Sequence, residues 1–134
     1  GARIMALKGA EMLIYPTAIG WDSDDTSDEQ TRQKDAWIGV QRGHSIANNL
    51  PVIAINRVGH EADPSNQSSG IDFWGHSFIT GQQGEFLALA DHQDACLVEA
   101  TINLNKTEQT RRIWPYFRDR RIDAYNGLQS RYLD

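Results

Sequence analysis

Apolar residues recur along this chain first at helical spacing, then in short continuous runs, and finally in alternation with polar ones. Residues 2–8 place Ile4 and Leu7 on one face and stop at Gly9, which predicts the last turns of a helix. Met12-Leu13-Ile14-Tyr15 follows as an apolar run ended by Pro16, the pattern of a strand buried on both faces. A second helix is predicted over residues 31–48, where Trp37, Val40, His44 and Ala47 recur at steps of three and four and would form its buried stripe. Asn48-Asn49 ends that helix, Pro51 blocks its continuation, and Val52-Ile53-Ala54-Ile55 is another buried strand. Helix and strand therefore alternate, as in an α/β domain built from βαβ units. The first strand of the first unit is not in the sequence, so the chain is expected to open in mid-motif.

Two polar stretches interrupt this order. Residues 16–34 carry Gly20 and the acids Asp22, Asp24, Asp25, Asp28 and Glu29, which predicts a long surface loop. Residues 60–70, with Asp63-Pro64-Ser65-Asn66, predict a second. Beyond them the pattern becomes that of an antiparallel meander. Residues 71–79 read as one aromatic-rich strand, Gly81-Gln82-Gln83-Gly84 as a hairpin turn, and Phe86-Leu87-Ala88-Leu89 as the returning strand. After a turn at 91–94, Cys96, Val98, Ala100 and Ile102 alternate onto one face, predicting a further strand with Cys96 packed in the core. Asn105 is placed to cap a short last helix, with Glu108 three residues on.

Composition narrows the function. At 134 residues the chain has the size of one domain, and its 40% hydrophobic content suits a soluble core. A net charge of -5 argues against a nucleic-acid partner, and no apolar run approaches a membrane span. The opening Gly1-Ala2-Arg3 has no signal-peptide character, so a cytoplasmic location is expected. The one cysteine excludes an internal disulfide, and His44, His60, His76 and His92 show no metal-ligand spacing. No metal and no organic cofactor is expected.

Five segments, read in order, carry a resemblance. They are Ala6-Leu7-Lys8-Gly9-Ala10-Glu11, Tyr15-Pro16-Thr17-Ala18-Ile19-Gly20, Asn56-Arg57-Val58-Gly59, Phe73-Trp74-Gly75-His76-Ser77-Phe78-Ile79 and Phe117-Arg118-Asp119-Arg120-Arg121. Together they resemble the nitrilase superfamily of carbon-nitrogen hydrolases, and within it the N-carbamoylputrescine amidase branch. The resemblance spans essentially the whole chain and implies the C-terminal half of a four-layer αββα sandwich, with the N-terminal half outside this sequence. One turn departs from the family, which usually has Gly-Pro-x-Gly where Gly81-Gln82-Gln83-Gly84 stands.

The resemblance also implies a Glu-Lys-Cys triad whose three members would all precede Gly1, so no catalytic residue is assigned within residues 1–134. It implies conversion of N-carbamoylputrescine to putrescine, ammonia and carbon dioxide, in a homo-oligomer with the C-terminal tail at a subunit interface. The alternatives are another ureido, amide or nitrile substrate, or a non-catalytic binding module. The segment Tyr15, Pro16, Thr17, Ala18 and Ile19 would line the substrate pocket. It follows a buried strand at its C-terminal end, where α/β sheets hold ligands. Asp22 is the acid nearest that segment and would attract the substrate ammonium. His44, on the predicted buried stripe, reads as a core or interface histidine.

Overall fold

The computed structural model describes residues 1–133. Helix α1 (Ala2–Leu7) ends where Gly9 takes φ +95°, and strand β1 (Leu13–Thr17) begins four residues later. The strand runs through Pro16 instead of stopping there. Proline is tolerated because β1 lies at the edge of its sheet, where a backbone N–H facing away from the neighbouring strand is not needed for the ladder.

A two-residue strand, β2 (Gly20–Trp21), precedes α2 (Ser27–Asn48). This helix starts four residues before the predicted boundary. Thr26 is its N-cap, with Oγ1 accepting the Glu29 N–H at 3.3 Å, and Asp28 and Glu29 lie in the first turn facing the positive end of the helix dipole. The sequence Thr26-Ser27-Asp28-Glu29 carries the capping signal, which the acid-rich composition masks. The C-terminus is as expected: Asn49 adopts the left-handed conformation at φ 49° and Pro51 follows.

The face that α2 buries differs from the predicted stripe. Trp37 and His44 are half-buried, but Val40 and Ala47 face solvent, and the buried positions are Gln41, Ser45 and Asn48. Hydrogen bonding explains this polar stripe. Ser45 Oγ lies 2.8 Å from Leu50 O and 2.6 Å from Gly81 O, tying the helix to the start of the next strand and to the hairpin. Asn48 Nδ2 donates to His44 O at 2.8 Å while its Oδ1 accepts from Arg3 of α1.

Strands β3 (Val52–Asn56), β6 (Phe78–Thr80) and β7 (Phe86–Leu89) complete a four-stranded sheet in the order β1-β3-β6-β7. The β1–β3 pair is parallel, with Leu13 opposite Val52 and Thr17 opposite Asn56; the other two pairs are antiparallel. Strands β4 (Val58–Glu61) and β5 (Ile71–Trp74) form a second sheet with β2, in the order β2-β5-β4. The predicted single strand over 71–79 is therefore two strands in different sheets. Gly75 and His76 both have positive φ, 58° and 55°, and two successive left-handed residues turn the chain out of one sheet into the other.

Two further expectations are corrected. Residues 96–102 form no strand, although the alternation survives: Val98, Ala100 and Ile102 are half-buried while Leu97, Glu99 and Thr101 are exposed. They pair with no strand among the described residues, so they cross the sheet without a ladder, and Cys96 is exposed instead of packed. Helix α3 (Asn105–Ile113) is capped one residue earlier than expected, at Leu104, and the Asn105 N–H is accepted by Asn103 Oδ1 at 3.0 Å.

The core joins Ala6, Leu13, Leu50, Val52, Ala54 and Phe78 between α1, α2 and one face of the first sheet. Trp37 connects it to the second sheet, its ring 5.9 Å from Phe78 and 6.0 Å from Trp74, both edge-on. The opposite face of the first sheet is open at its β1 edge, where Ile14 and Ile55 are 56% and 47% exposed.

Asn56 is the joint between the two sheets. It ends β3, it is buried, and its carboxamide uses both ends: Oδ1 accepts the Ile19 N–H at 2.9 Å, and Nδ2 donates to Ile19 O at 2.9 Å and Gly75 O at 3.1 Å. Its backbone N–H is taken by Ser77 Oγ at 3.0 Å. Asn56→Ala would leave these buried groups unpaired and should cost about 3 kcal/mol. Asn56→Asp should do no better, because a carboxylate oxygen would then face two carbonyls. Urea unfolding monitored by tryptophan fluorescence measures both, and a loss below about 1 kcal/mol would remove Asn56 from this role.

Candidate active-site wall

The alternation of β1 divides the predicted pocket segment. Tyr15 and Thr17 point toward α2 and the strand ends, whereas Pro16 and Ala18 are exposed. The Tyr15 hydroxyl hydrogen-bonds His44 Nδ1 at 2.9 Å, and partial burial raises the phenol pKa above its ordinary value. The half-buried His44 thus has a partner that its place on a helix stripe could not reveal. Thr17 Oγ1 donates to Ile55 O at 2.8 Å, and Ile19 is held at both backbone atoms by Asn56. Tyr15, Thr17 and Ile19 are thus anchors that hold Pro16 and Ala18 at the C-terminal ends of the two parallel strands.

Asp22 lies apart from them. It borders a groove of about 380 Å³ at the edge of the second sheet, with Trp21, Asp24, Ser68, Gly70 and Ile71. Pro16 and Ala18 do not line this groove. Asp22 Oδ1 accepts the Asp24 N–H at 2.9 Å, and the lining includes two carboxylates and no lysine or arginine. The indole of Trp21 is 5.0 Å from that of Trp74, which fixes the apolar floor beside the acids.

Cys96 opens onto a separate cleft of about 270 Å³, lined also by Ile55, Arg57, Ser77, Asp91 and Asp94. This lining contains no histidine and no lysine, and its ionisable groups besides the thiol are Arg57, Asp91 and Asp94. His60 meets Asp72 at 2.9 Å across β4 and β5, and His76 and His92 stack at 5.9 Å; residue spacing signalled neither pair. Among the described residues no group of three or more His, Cys, Asp or Glu is placed to hold a metal ion, and no helix is long and apolar enough to cross a membrane.

The comparisons with known proteins bear on these groups. The sequence profile of the carbon-nitrogen hydrolases matches residues 1–112. The chain belongs to the carbon-nitrogen hydrolase family. It is 41% identical to the N-carbamoylputrescine amidase of Solanum tuberosum over 128 residues, which is 95% of this chain and 42% of that protein. It is equally, 41%, identical to the citrullinase of Francisella tularensis over 98% of this chain and 44% of that protein. The crystal structure of a carbon-nitrogen hydrolase from Helicobacter pylori G27 superposes with a TM-score of 0.95 at 56% identity, covering 98% of this chain and 45% of that one. The Caenorhabditis elegans NitFhit protein, at 22% identity and a TM-score of 0.74, shares the fold. The α/β arrangement is therefore nitrilase-like, and the chain spans 42–45% of the length of these carbon-nitrogen hydrolase relatives.

The loop between β4 and β5 closes one side of the acidic groove through Ser68 and Gly70. Asp63 holds this loop: its carboxylate accepts the Ser65 N–H at 2.8 Å, the Ser68 N–H at 3.0 Å and the hydroxyls of both. These bonds, those to Ser65 first, lower its pKa to about 2 from an ordinary 3.8. A depressed carboxyl pKa contributes order that is complete above the ordinary value and lost as pH falls toward the lowered one. Amide exchange protection at Ser65 and Ser68 should therefore hold down to about pH 4 and disappear near pH 2, and Asp63→Asn should weaken it at neutral pH. Unchanged protection in Asp63→Asn would contradict this account of the loop.

Proposed function

We propose that residues 1–134 form the C-terminal, pocket-wall part of a cysteine amidohydrolase acting on N-carbamoylputrescine, and that its Glu-Lys-Cys triad lies on polypeptide outside these residues. The observation that carries this reading is the equal identity to an N-carbamoylputrescine amidase and to a citrullinase. N-carbamoylputrescine and citrulline share a terminal ureido group, a carbonyl flanked by an unsubstituted nitrogen and an alkylated one, and differ in the charge at the far end of the alkyl chain. A ureido carbonyl is a poor electrophile because two nitrogen lone pairs feed it. A thiolate must therefore attack, ammonia leaves as the carbon-nitrogen bond breaks, and water releases carbamate from the thioester. The carbamate then yields the amine and carbon dioxide.

Within this chemistry Pro16 and Ala18 supply an apolar wall with no donor to compete for the ureido oxygen. Tyr15, Thr17 and Asn56 hold that wall in place. Asp22 and Asp24 favour a substrate whose far end is a simple ammonium. Citrulline carries a carboxylate beside its ammonium, which Asp22 and Asp24 would repel. Charge complementarity therefore favours N-carbamoylputrescine. A C-terminal tail at a subunit interface, carrying the half-exposed Trp114, completes the reading of a homo-oligomer.

Two measurements test the proposal. The purified 134-residue chain should release no ammonia from N-carbamoylputrescine above a blank, and turnover would place the nucleophile within these residues. In the complete hydrolase, Asp22→Asn should raise KM for N-carbamoylputrescine about tenfold, worth about 1.4 kcal/mol, and leave N-butylurea hydrolysis unchanged. Equal effects on both substrates would separate Asp22 from ammonium recognition.

A further inference from the structure

An open basin of about 480 Å³ lies between α2 and the turn that follows β5. Ser27, Gln30, Thr31 and Lys34 stand at helical steps of three and four, so one polar face of α2 forms a side of it. Trp21, His76 and His92 complete the lining. Gly75 brings the two histidines together. A Cβ there would stand 2.7 Å from Asp91 O and 3.1 Å from His92 Cα, an approach that only glycine admits. The His76 N–H, accepted by Asp91 O at 3.0 Å, fixes the same contact. The result is a pair of nearly parallel imidazoles, with ring centres 5.9 Å apart and planes at 12°.

No carboxylate is among the residues that line this basin, in a chain whose net charge is -5. Asp22 and Asp24 border the acidic groove instead, and Trp21 is common to both linings. Asp25 accepts from Gln33 Nε2 at 2.7 Å, and Glu29 pairs with Arg32. In the turn beside His92, the Asp91 carboxylate accepts the Gln93 N–H at 3.0 Å. Arg57, whose carbonyl accepts the Gly75 N–H, pairs with Glu61. Lys34 meets the exposed Asp35 at 3.3 Å, a pair that solvent weakens. His76 uses Nδ1–H as a donor to the Trp74 carbonyl, because a carbonyl can only accept. Its Nε2 therefore holds a lone pair in the neutral ring and becomes a donor only when the ring takes a second proton.

We propose that this basin binds a small oxyanion, a carboxylate or a phosphate group, between Lys34 and the His76–His92 pair, and that His76 takes up a proton as the anion enters. The Lys34 ammonium, with no carboxylate in the lining, repels a metal ion or a protonated amine and attracts an anion. Two imidazolium rings this close repel each other, and an anion between them offsets that repulsion. The volume is that of a small-molecule site. On the α2 side the donors are Lys34 Nζ and the Ser27 hydroxyl, since the Thr31 hydroxyl already donates to Ser27 O at 2.9 Å. The inference goes beyond the reading of the substrate and invokes neither Asp22 nor the reacting thiol.

Isothermal titration of the complete hydrolase near neutral pH tests it, with sulfate standing in for a phosphate group and acetate for a carboxylate. Neither probe titrates in that range, so any proton taken up belongs to the protein. At least one of the two should bind with a Kd of about 1 mM, and its heat should change with the ionisation enthalpy of the buffer in the sense of proton uptake. Tighter sulfate assigns a phosphate-bearing ligand, and tighter acetate a carboxylate. Lys34→Gln, on an exposed helix face, should weaken binding about tenfold. His76→Asn should do the same and remove the proton uptake; asparagine tolerates the left-handed backbone at this position. His92→Gln, in an exposed turn, supplies a second histidine variant should His76→Asn fail to fold, and should weaken binding as well. No binding of either anion up to about 20 mM, binding without proton uptake, or an affinity unchanged in Lys34→Gln and in the histidine variants would each overturn the proposal.

Discussion

One buried carboxamide holds the two halves of this structure in register. Asn56 stands at the last residue of β3, where the first sheet ends, and the second begins two residues later at Val58. Its side chain presents an acceptor and a donor to Ile19 and a second donor hydrogen to Gly75, so it satisfies backbone groups from two of the crossings between the sheets, β1 to β2 and β5 to β6. No apolar residue could do this, and a carboxylate lacks the donors. The position of Pro16 and Ala18 follows, because the strand that carries them is fixed at Leu13 through Thr17 by pairing with β3 and at Ile19 by the carboxamide.

Charge is unevenly distributed over the chain. The acidic groove around Asp22 and Asp24 contains no cationic side chain, and its hydroxyl-lined side is shaped by the turn that Asp63 holds. Around Phe117, by contrast, arginines gather from α1, α3 and the tail. The net charge of -5 conceals both.

Much of the fold was legible from residue pattern, and the failures have local causes. The apolar runs at Leu13 and Val52 and the Gly81–Gly84 turn correspond to real strands and a real hairpin, because each signal is set by nearest neighbours. The sheet change at Gly75-His76 was not legible: glycine is common in strands next to bulges, and histidine at positive φ is stabilised here by its Nδ1 reaching Trp74 O and its N–H reaching Asp91 O. The stripe of α2 was misplaced since helical periodicity counts apolar residues, and the positions facing the sheet are Gln41, Ser45 and Asn48. For the site, the sequence offers Tyr15 to Ile19 as one segment, whereas which of its members are partnered and which exposed depends on strand phase and on Asn56, 37 residues from Ile19. Cys96 misled for a related reason, since alternation predicts a packed face only where a neighbouring strand covers it.

The ends of β1 and β3 are proposed to form a wall of the reaction cavity, and the reacting thiol is proposed to belong to other polypeptide. A crystal structure of the complete hydrolase, with its nucleophile replaced and N-carbamoylputrescine bound, tests this most directly. The expected result is the ureido group against Pro16 and Ala18, the ammonium directed toward Asp22, and Cys96 out of reach of the ureido carbon. Substrate seated with that carbon against the Cys96 sulfur, or bound away from the β1 end altogether, would contradict it.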